Sequence, residues 1–95
     1  MEFVFSAPVF EWRGPAPYYF VTVPDEPSEE LHALSALVTY GWGMIPVRAR
    51  IGATTWTTSL FAKDGRYVVP LKVAVRRAER IEPGDVVHLV LTVEV

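Results

Sequence analysis

Residues 70–95 read PLKVAVRRAERIEPGDVVHLVLTVEV and carry the strongest structural signal in the chain. From Val86 onward every second residue is aliphatic, and these residues are Val87, Leu89, Leu91, Val93 and Val95. Successive side chains of a strand point to opposite faces. The alternation therefore predicts a half-buried strand over residues 86–95 with a purely aliphatic inner face.

The turn that precedes this strand is Glu82-Pro83-Gly84-Asp85. Pro at the second position fixes φ and Gly at the third accepts a positive φ, which are the requirements of a type II turn. Such a turn fixes the register of the strand that follows it. We interpret Asp85 as a residue that caps backbone N–H groups of its own turn.

Residues 72–80 lie just before the turn and fit two structures. Val73 and Val75 suit a strand, whereas the Arg-Arg-Ala-Glu run at residues 76–79 suits a helical turn. We favour a short helix here.

The rest of the chain predicts one further helix and five further strands. Acidic residues at 25–30 favour the N-terminal end of a helix, and leucines follow at helical spacing. Pro8 interrupts the first strand and favours an edge or bulged position for it. The strands are expected at residues 2–12, 18–23, 44–51, 54–61 and 67–70, and the helix at residues 28–38. The segment Tyr40-Gly41-Trp42-Gly43 is interpreted as a loop that either packs Trp42 on the core or forms a mobile lip over a pocket.

These elements predict a mainly β fold, a small closed six-stranded β-barrel. One helix follows the second strand and a short helix precedes the Gly-Asp turn. Closure removes the exposed strand edges of so hydrophobic a chain. Ninety-five residues suit a single domain, residues 1–95.

Composition excludes several classes of site. Cysteine is absent and the two histidines have no metal-binding spacing, so we expect no metal and no cofactor. The N-terminal segment lacks the basic region of a signal peptide, and no apolar stretch is long enough for a membrane span. We therefore expect a soluble cytoplasmic protein without a membrane partner.

The net charge of −2 hides a segregation of charge along the chain. Residues 48–80 hold eight bases against two acids, whereas residues 1–47 hold six acids against one base. This pattern fits intramolecular charge complementarity, or an anion-binding surface formed by the middle segment.

Four short patterns, in order along the chain, carry a resemblance to a known family. They are W-x-T-S-L from Trp56, P-x-K from Pro70, V-R-R-A from Val75 and G-D-x-V from Gly84. The set resembles the bacterial family of domain of unknown function 1905, over nearly the whole chain. The resemblance implies a small closed β-barrel with a short helix before the Gly-Asp turn, and no established reaction. The Gly-Asp turn is also similar to that of swapped-hairpin and double-psi barrels.

The function that we predict is a non-catalytic binding module for a small anionic ligand or an acidic segment of a protein partner. Arg48 and Arg50 share one strand face, and strand hydroxyls follow on the next strand. Lys72 and Arg76 are four residues apart, so a helix places both on one side. A guanidinium fork donates in pairs to carboxylate or phosphate. The predicted ligand-binding residues are Arg48, Arg50, Trp56, Thr57, Ser59, Lys72 and Arg76.

Two alternatives remain. A small enzyme would use Ser59 as nucleophile with His88 as base, or Asp85 as an acid or base, but no nucleophile elbow and no Gly-rich phosphate loop is present. A weak nucleic-acid-binding barrel would use the basic middle segment. A sequence pI of about 5.6 opposes the phosphate contacts on which such binding depends, so we do not expect a nucleic-acid partner.

Overall fold

The computed structural model describes residues 1–13, 18–38 and 44–93, apart from the side chains of residues 36–38. The strands are β1 (Glu2–Trp12), β2 (Tyr18–Thr22), β3 (Ile45–Ile51), β4 (Thr54–Lys63), β5 (Arg66–Leu71) and β6 (Val86–Thr92). The helices are α1 (Asp25–Val38) and α2 (Val73–Ala78). The predicted loop at residues 40–43, with both interpretations of Trp42, lies outside the described residues.

The six strands form a closed antiparallel barrel in the order β1-β2-β5-β4-β3-β6. The predicted six-stranded barrel with its two helices is therefore confirmed. Strand β1 closes it, because its first part pairs with β6 and its last part with β2. Pro8 is the last residue paired with β6, and Val9 is the first paired with β2. Proline, which has no N–H to donate, thus lies where the strand changes partner. Of the edge and the bulged position predicted for this strand, the edge does not occur, because β1 is paired on both sides of the closed barrel.

The inner face of β6 is the centre of the core. Val87, Leu89, Leu91 and Val93 are all buried, as the alternation predicts, while Val95 lies outside the described residues. Their neighbours in the barrel are inward residues of β1 and β3, such as Phe5 and Ala49. Each fully buried Val or Leu side chain contributes about 1.5–3 kcal/mol of transfer free energy.

Helix α1 covers one end of the barrel, at the start of β5. It begins at Asp25 rather than at the predicted residue 28, because two acidic residues and a proline suit the first turn of a helix. Leu31 anchors it in the core. The buried Ser28 hydroxyl donates to the Val23 carbonyl (3.0 Å) and accepts the Tyr67 N–H (3.3 Å), which ties α1 to the residue that follows β2 and to β5.

Helix α2 follows β5 and covers the opposite end. The predicted short helix before the Gly-Asp turn is confirmed. Just beyond α2, the Asp85 N–H donates to the Glu82 carbonyl (3.1 Å), and Gly84 has φ +92°. Asp85 Oδ2 accepts the Glu82 N–H at 2.8 Å. These contacts confirm a type II turn and the capping role of Asp85.

Neither described helix is both long enough and apolar enough to cross a bilayer.

Candidate functional site

Six of the seven residues predicted to bind a ligand lie on different parts of the barrel surface, and the seventh, Trp56, lies in the core. Arg48 and Thr57 face each other across β3 and β4 and line one shallow cleft of about 220 Å³. Arg50 lines a second cleft of about 620 Å³ that also contains Glu79 and His88. Arg76 lines a third. The predicted set therefore does not converge in a single described cleft.

The outer face of β3 and β4 brings together the guanidinium and hydroxyl groups that the sequence placed there. Arg48 and Arg50 point outward and are exposed, and Thr57 and Ser59 follow on the outer face of β4. Arg50 Nη1 donates to the Gly52 carbonyl at 3.2 Å, so this side chain is directed along the hairpin.

The third cleft, of about 520 Å³, lies beside α2 and contains three arginines. It is lined by Tyr19, Val73, Arg76, Arg77, Arg80, Ile81 and Glu82. The Arg76 guanidinium lies over the Tyr19 ring, with its central carbon 3.8 Å from the ring centroid. Arg76 Nε is buried and has no hydrogen-bond acceptor among residues 1–13, 18–38 and 44–93.

Trp56 lies inside the barrel rather than on the outer face with Thr57. Its side chain is 8% exposed and belongs to the core. Its indole Nε1–H is also buried without an acceptor in the part of the chain that the structure describes. Thr54, two residues earlier, donates from Oγ1 to Glu79 Oε2 at 2.6 Å, so Trp56 lies near the end of the barrel that α2 covers.

The end of α2 sets the position of Arg80. The Ile81 N–H donates to the Arg76 carbonyl (2.9 Å) and the Arg80 N–H to the Arg77 carbonyl (3.4 Å). These two bonds form a Schellman motif. Arg80 adopts φ +53° in this motif, in the left-handed region where glycine is usual.

Sequence reasoning missed Arg77 and Arg80 as members of the cleft. The spacing that linked Lys72 with Arg76 also links Arg76 with Arg80, since both pairs are four residues apart. That second pair was the available signal. Lys72 itself precedes the first residue of α2 and is exposed, and it does not line this cleft.

The Ser59–His88 pair of the enzyme alternative is not brought together. His88 Nδ1 is hydrogen-bonded to the Ser6 hydroxyl across β1 and β6. Ser59 lies opposite Pro46, whereas Val90 of β6 lies opposite Arg50. Four residues of β3, about 13 Å, separate these two positions, and His88 lies farther along.

The model of one protein family matches most of the chain. The sequence model of the family described as "Domain of unknown function (DUF1905)" matches residues 5–91. No curated protein matches the chain. Within the described ranges, no group of three His, Asp or Glu side chains is arranged to hold a metal ion.

Proposed function

The chain belongs to the family of domain of unknown function 1905, whose description states no activity, and we propose from the geometry that it is a non-catalytic binding module for a small oxyanion. We assign the ligand to the cleft beside α2, hereafter the arginine cleft, with Arg76, Arg77 and Arg80 as its binding residues. The ligand is a carboxylate or phosphate compound.

One observation carries this proposal: the Nε–H donor of Arg76 is buried and has no acceptor among the described residues. A buried donor without an acceptor costs roughly 1–3 kcal/mol, and more when it belongs to a charged group. Arg76 Nε–H is such a donor among the described residues. Arg76 Nε is closed to solvent in this conformation, so the side chain must turn its Nε–Nη edge toward the cleft before an oxyanion can supply the acceptor and form a bidentate pair.

The surroundings of Arg76 support the same ligand. The stack on Tyr19 fixes the plane of the guanidinium, so little side-chain entropy remains to be lost on binding. Three guanidinium groups outnumber the single carboxylate of Glu82 in the cleft lining. The cleft volume of about 520 Å³ falls within the range of small-molecule sites.

Thermal unfolding in matched salts tests the proposal. A ligand at about 100 times its Kd stabilises the native state by roughly 2.7 kcal/mol. For a domain of this size each kcal/mol raises Tm by about 4–8 °C. Millimolar phosphate or citrate should therefore raise Tm well above its value in sodium chloride of equal ionic strength. A short poly-glutamate peptide tests whether an acidic partner segment binds in the same way.

Single substitutions test whether the rise in Tm comes from the arginine cleft. Arg77→Gln should reduce the phosphate-dependent rise in Tm, and Arg76→Lys should remove most of it, because lysine keeps the charge but not the planar fork. Arg48→Gln, which removes the same charge from the outer face of β3, is the matched control and should respond like the parent protein. Equal rises in phosphate and chloride, or an equal loss in the Arg48 variant, would leave these arginines as ordinary solvated charge.

A further inference from the structure

A hydrogen-bonded serine–histidine pair lies on the outer face of the barrel. Ser6 of β1 and His88 of β6 are direct cross-strand partners, and the Ser6 hydroxyl is bonded to His88 Nδ1. Both residues are exposed, and neither lines the arginine cleft. This pair, which we call the Ser6–His88 dyad, is therefore a group of reactive side chains separate from the proposed anion site.

The dyad has the two parts that a serine nucleophile requires. A serine hydroxyl is a weak nucleophile until a neighbouring base accepts its proton. A neutral imidazole with its proton on Nε2 presents Nδ1 as an acceptor, and Nδ1 is the atom that the Ser6 hydroxyl contacts. His88 is thus placed to take the hydroxyl proton when Ser6 attacks a carbonyl carbon.

Strand pairing holds the dyad in place. The pairing of β1 with β6 continues on both sides of it, from Glu2 opposite Thr92 to Pro8 opposite Val86. The residues next to the dyad along both strands are buried in the core, and they are Phe5, Ala7, Val87 and Leu89. A reactive pair on anchored strands keeps its geometry better than one on a loop.

The cleft of about 620 Å³ that His88 lines also contains a cation. Arg50 of β3 lines this cleft, and it lies opposite Val90, two residues from His88 along β6. A carbonyl attacked by serine becomes tetrahedral, and a nearby guanidinium stabilises the negative charge that develops on its oxygen. The guanidinium has five N–H donors, of which the bond from Nη1 to the Gly52 carbonyl uses one.

Two carboxylates restrict the charge of a molecule that enters the same cleft. Glu79 accepts the Thr54 hydroxyl and Asp85 accepts the Glu82 N–H, and both acidic residues line the cleft. Like charges brought together cost several kcal/mol, so these carboxylates disfavour an anionic substrate. The charge preference is therefore opposite to that of the arginine cleft.

Apolar side chains flank the dyad on both sides of the outer face. Val4 pairs with Val90 on one side, and Pro8 pairs with Val86 on the other. Val4 is 68% exposed and Val86 is 64% exposed, so both are open to contact with a hydrocarbon chain. These neighbours suit an uncharged ester with a short apolar acyl group.

We propose that Ser6 is a nucleophile that accepts an acyl group from uncharged activated esters, with His88 as its general base. A bond forms between Ser6 Oγ and the carbonyl carbon, and the bond from that carbon to the leaving oxygen breaks. The hydroxyl proton passes to His88 Nδ1 and from there to the leaving alkoxide or phenolate. The enzyme alternative paired His88 with Ser59, whereas the structure pairs it with Ser6. The step does not use the arginine cleft, so it stands or fails independently of anion binding.

Reaction of the parent protein with p-nitrophenyl butyrate tests the proposal. Peptide mass spectrometry locates the butyryl group, and a time series gives the acylation rate at each serine. We expect Ser6 to react at least about a hundredfold faster than Ser35, because general-base catalysis contributes about 10²–10⁴-fold. Ser35 is the internal control, since its hydroxyl donates to the His32 carbonyl (2.7 Å) rather than to a ring nitrogen.

His88→Gln separates the basic role of His88 from a structural one. The glutamine amide oxygen can still accept a hydrogen bond from Ser6, but it cannot take the proton, so acylation of Ser6 should fall to the rate of Ser35. His32→Gln removes the other histidine of the chain and is the matched control, which should react like the parent. Both histidines are exposed, so both variants should keep the far-UV circular dichroism of the parent.

A thiol at the same position gives a second measurement. The chain has no cysteine, so Ser6→Cys introduces a single thiol, and a neighbouring imidazole favours its thiolate. Iodoacetamide should alkylate this variant at least about tenfold faster than the double variant that also carries His88→Gln. Equal alkylation rates, or acylation of Ser6 no faster than that of Ser35, would overturn the proposal and leave the dyad as a cross-strand hydrogen bond.

Discussion

At the scale of single residues, Arg80 is the position where local geometry and side chain disagree. It occupies the C′ position of α2 with φ +53°, which suits glycine. A left-handed backbone conformation costs a residue that has a Cβ roughly 1–2 kcal/mol of stability. Replacing such a residue with glycine removes this cost, but only part of the gain remains, because glycine has more freedom in the unfolded chain. Residues held in such conformations concentrate at functional sites, which agrees with the place of Arg80 in the arginine cleft.

We therefore predict that Arg80→Gly raises the free energy of unfolding by about 0.5–1 kcal/mol and at the same time weakens phosphate binding. Urea unfolding in chloride measures the first effect, and the phosphate-dependent rise in Tm measures the second. Arg77→Gly is the control, because glycine inside a helix costs about 1 kcal/mol. If both variants lose stability alike, the conformation of Arg80 carries no strain.

Gly84 and Arg80 also show what a sequence reveals about single residues. The Pro83-Gly84 pair predicts a type II turn, because few residues suit the two central positions of that turn, and the structure confirms this prediction. Arginine at a helix C′ position has no such preference, so its left-handed φ could not be read from the sequence. The burial of Trp56 was missed because both faces of β4 mix hydroxyl residues with apolar ones, so its pattern, unlike that of β6, does not say which face is inward.

At the scale of elements, α2 is fastened to the β3–β4 hairpin by Glu79. Glu79 Oε2 accepts the Thr54 hydroxyl at 2.6 Å. Its other oxygen lies so close to Gly52 that a Cβ there would overlap it. Gly52 has φ +57°, so both the backbone and the neighbouring carboxylate favour glycine.

A double-mutant cycle should expose this link. Gly52→Ala pushes the flexible Glu79 side chain away from Thr54, so Thr54→Val should cost about 0.5–1.5 kcal/mol in the parent and almost nothing in the Gly52→Ala background. Gly65→Ala is the matched control: Gly65 also has a positive φ (+80°), but a Cβ at this position would meet no described atom within 4 Å beyond its chain neighbours. Additive costs in the Gly52 cycle, measured by urea unfolding, would mean that the Glu79–Thr54 bond does not hold α2.

At the scale of the whole molecule, the sequence predicted the closed barrel but not the distribution of chemistry over it. Alternation, turn residues and the lack of a tolerable edge were sufficient for closure. Strand order was not, because β2 pairs with β5 across an intervening helix and two strands. That pairing sets Phe20 near Phe61 and Tyr19 near α2, so the arginine cleft depends on contacts between distant segments.

The arginine cleft predicts a further response of the whole molecule, a dependence of stability on the kind of anion. Phosphate and citrate should raise Tm of the parent protein above its value in chloride of equal ionic strength. Trp12→Lys adds a charge at an exposed position that does not line the arginine cleft, so this variant should keep the rise in phosphate. Arg76→Lys should lose it. If Tm measurements show that both variants lose the rise alike, the anions act on the charged surface in general and not at the cleft.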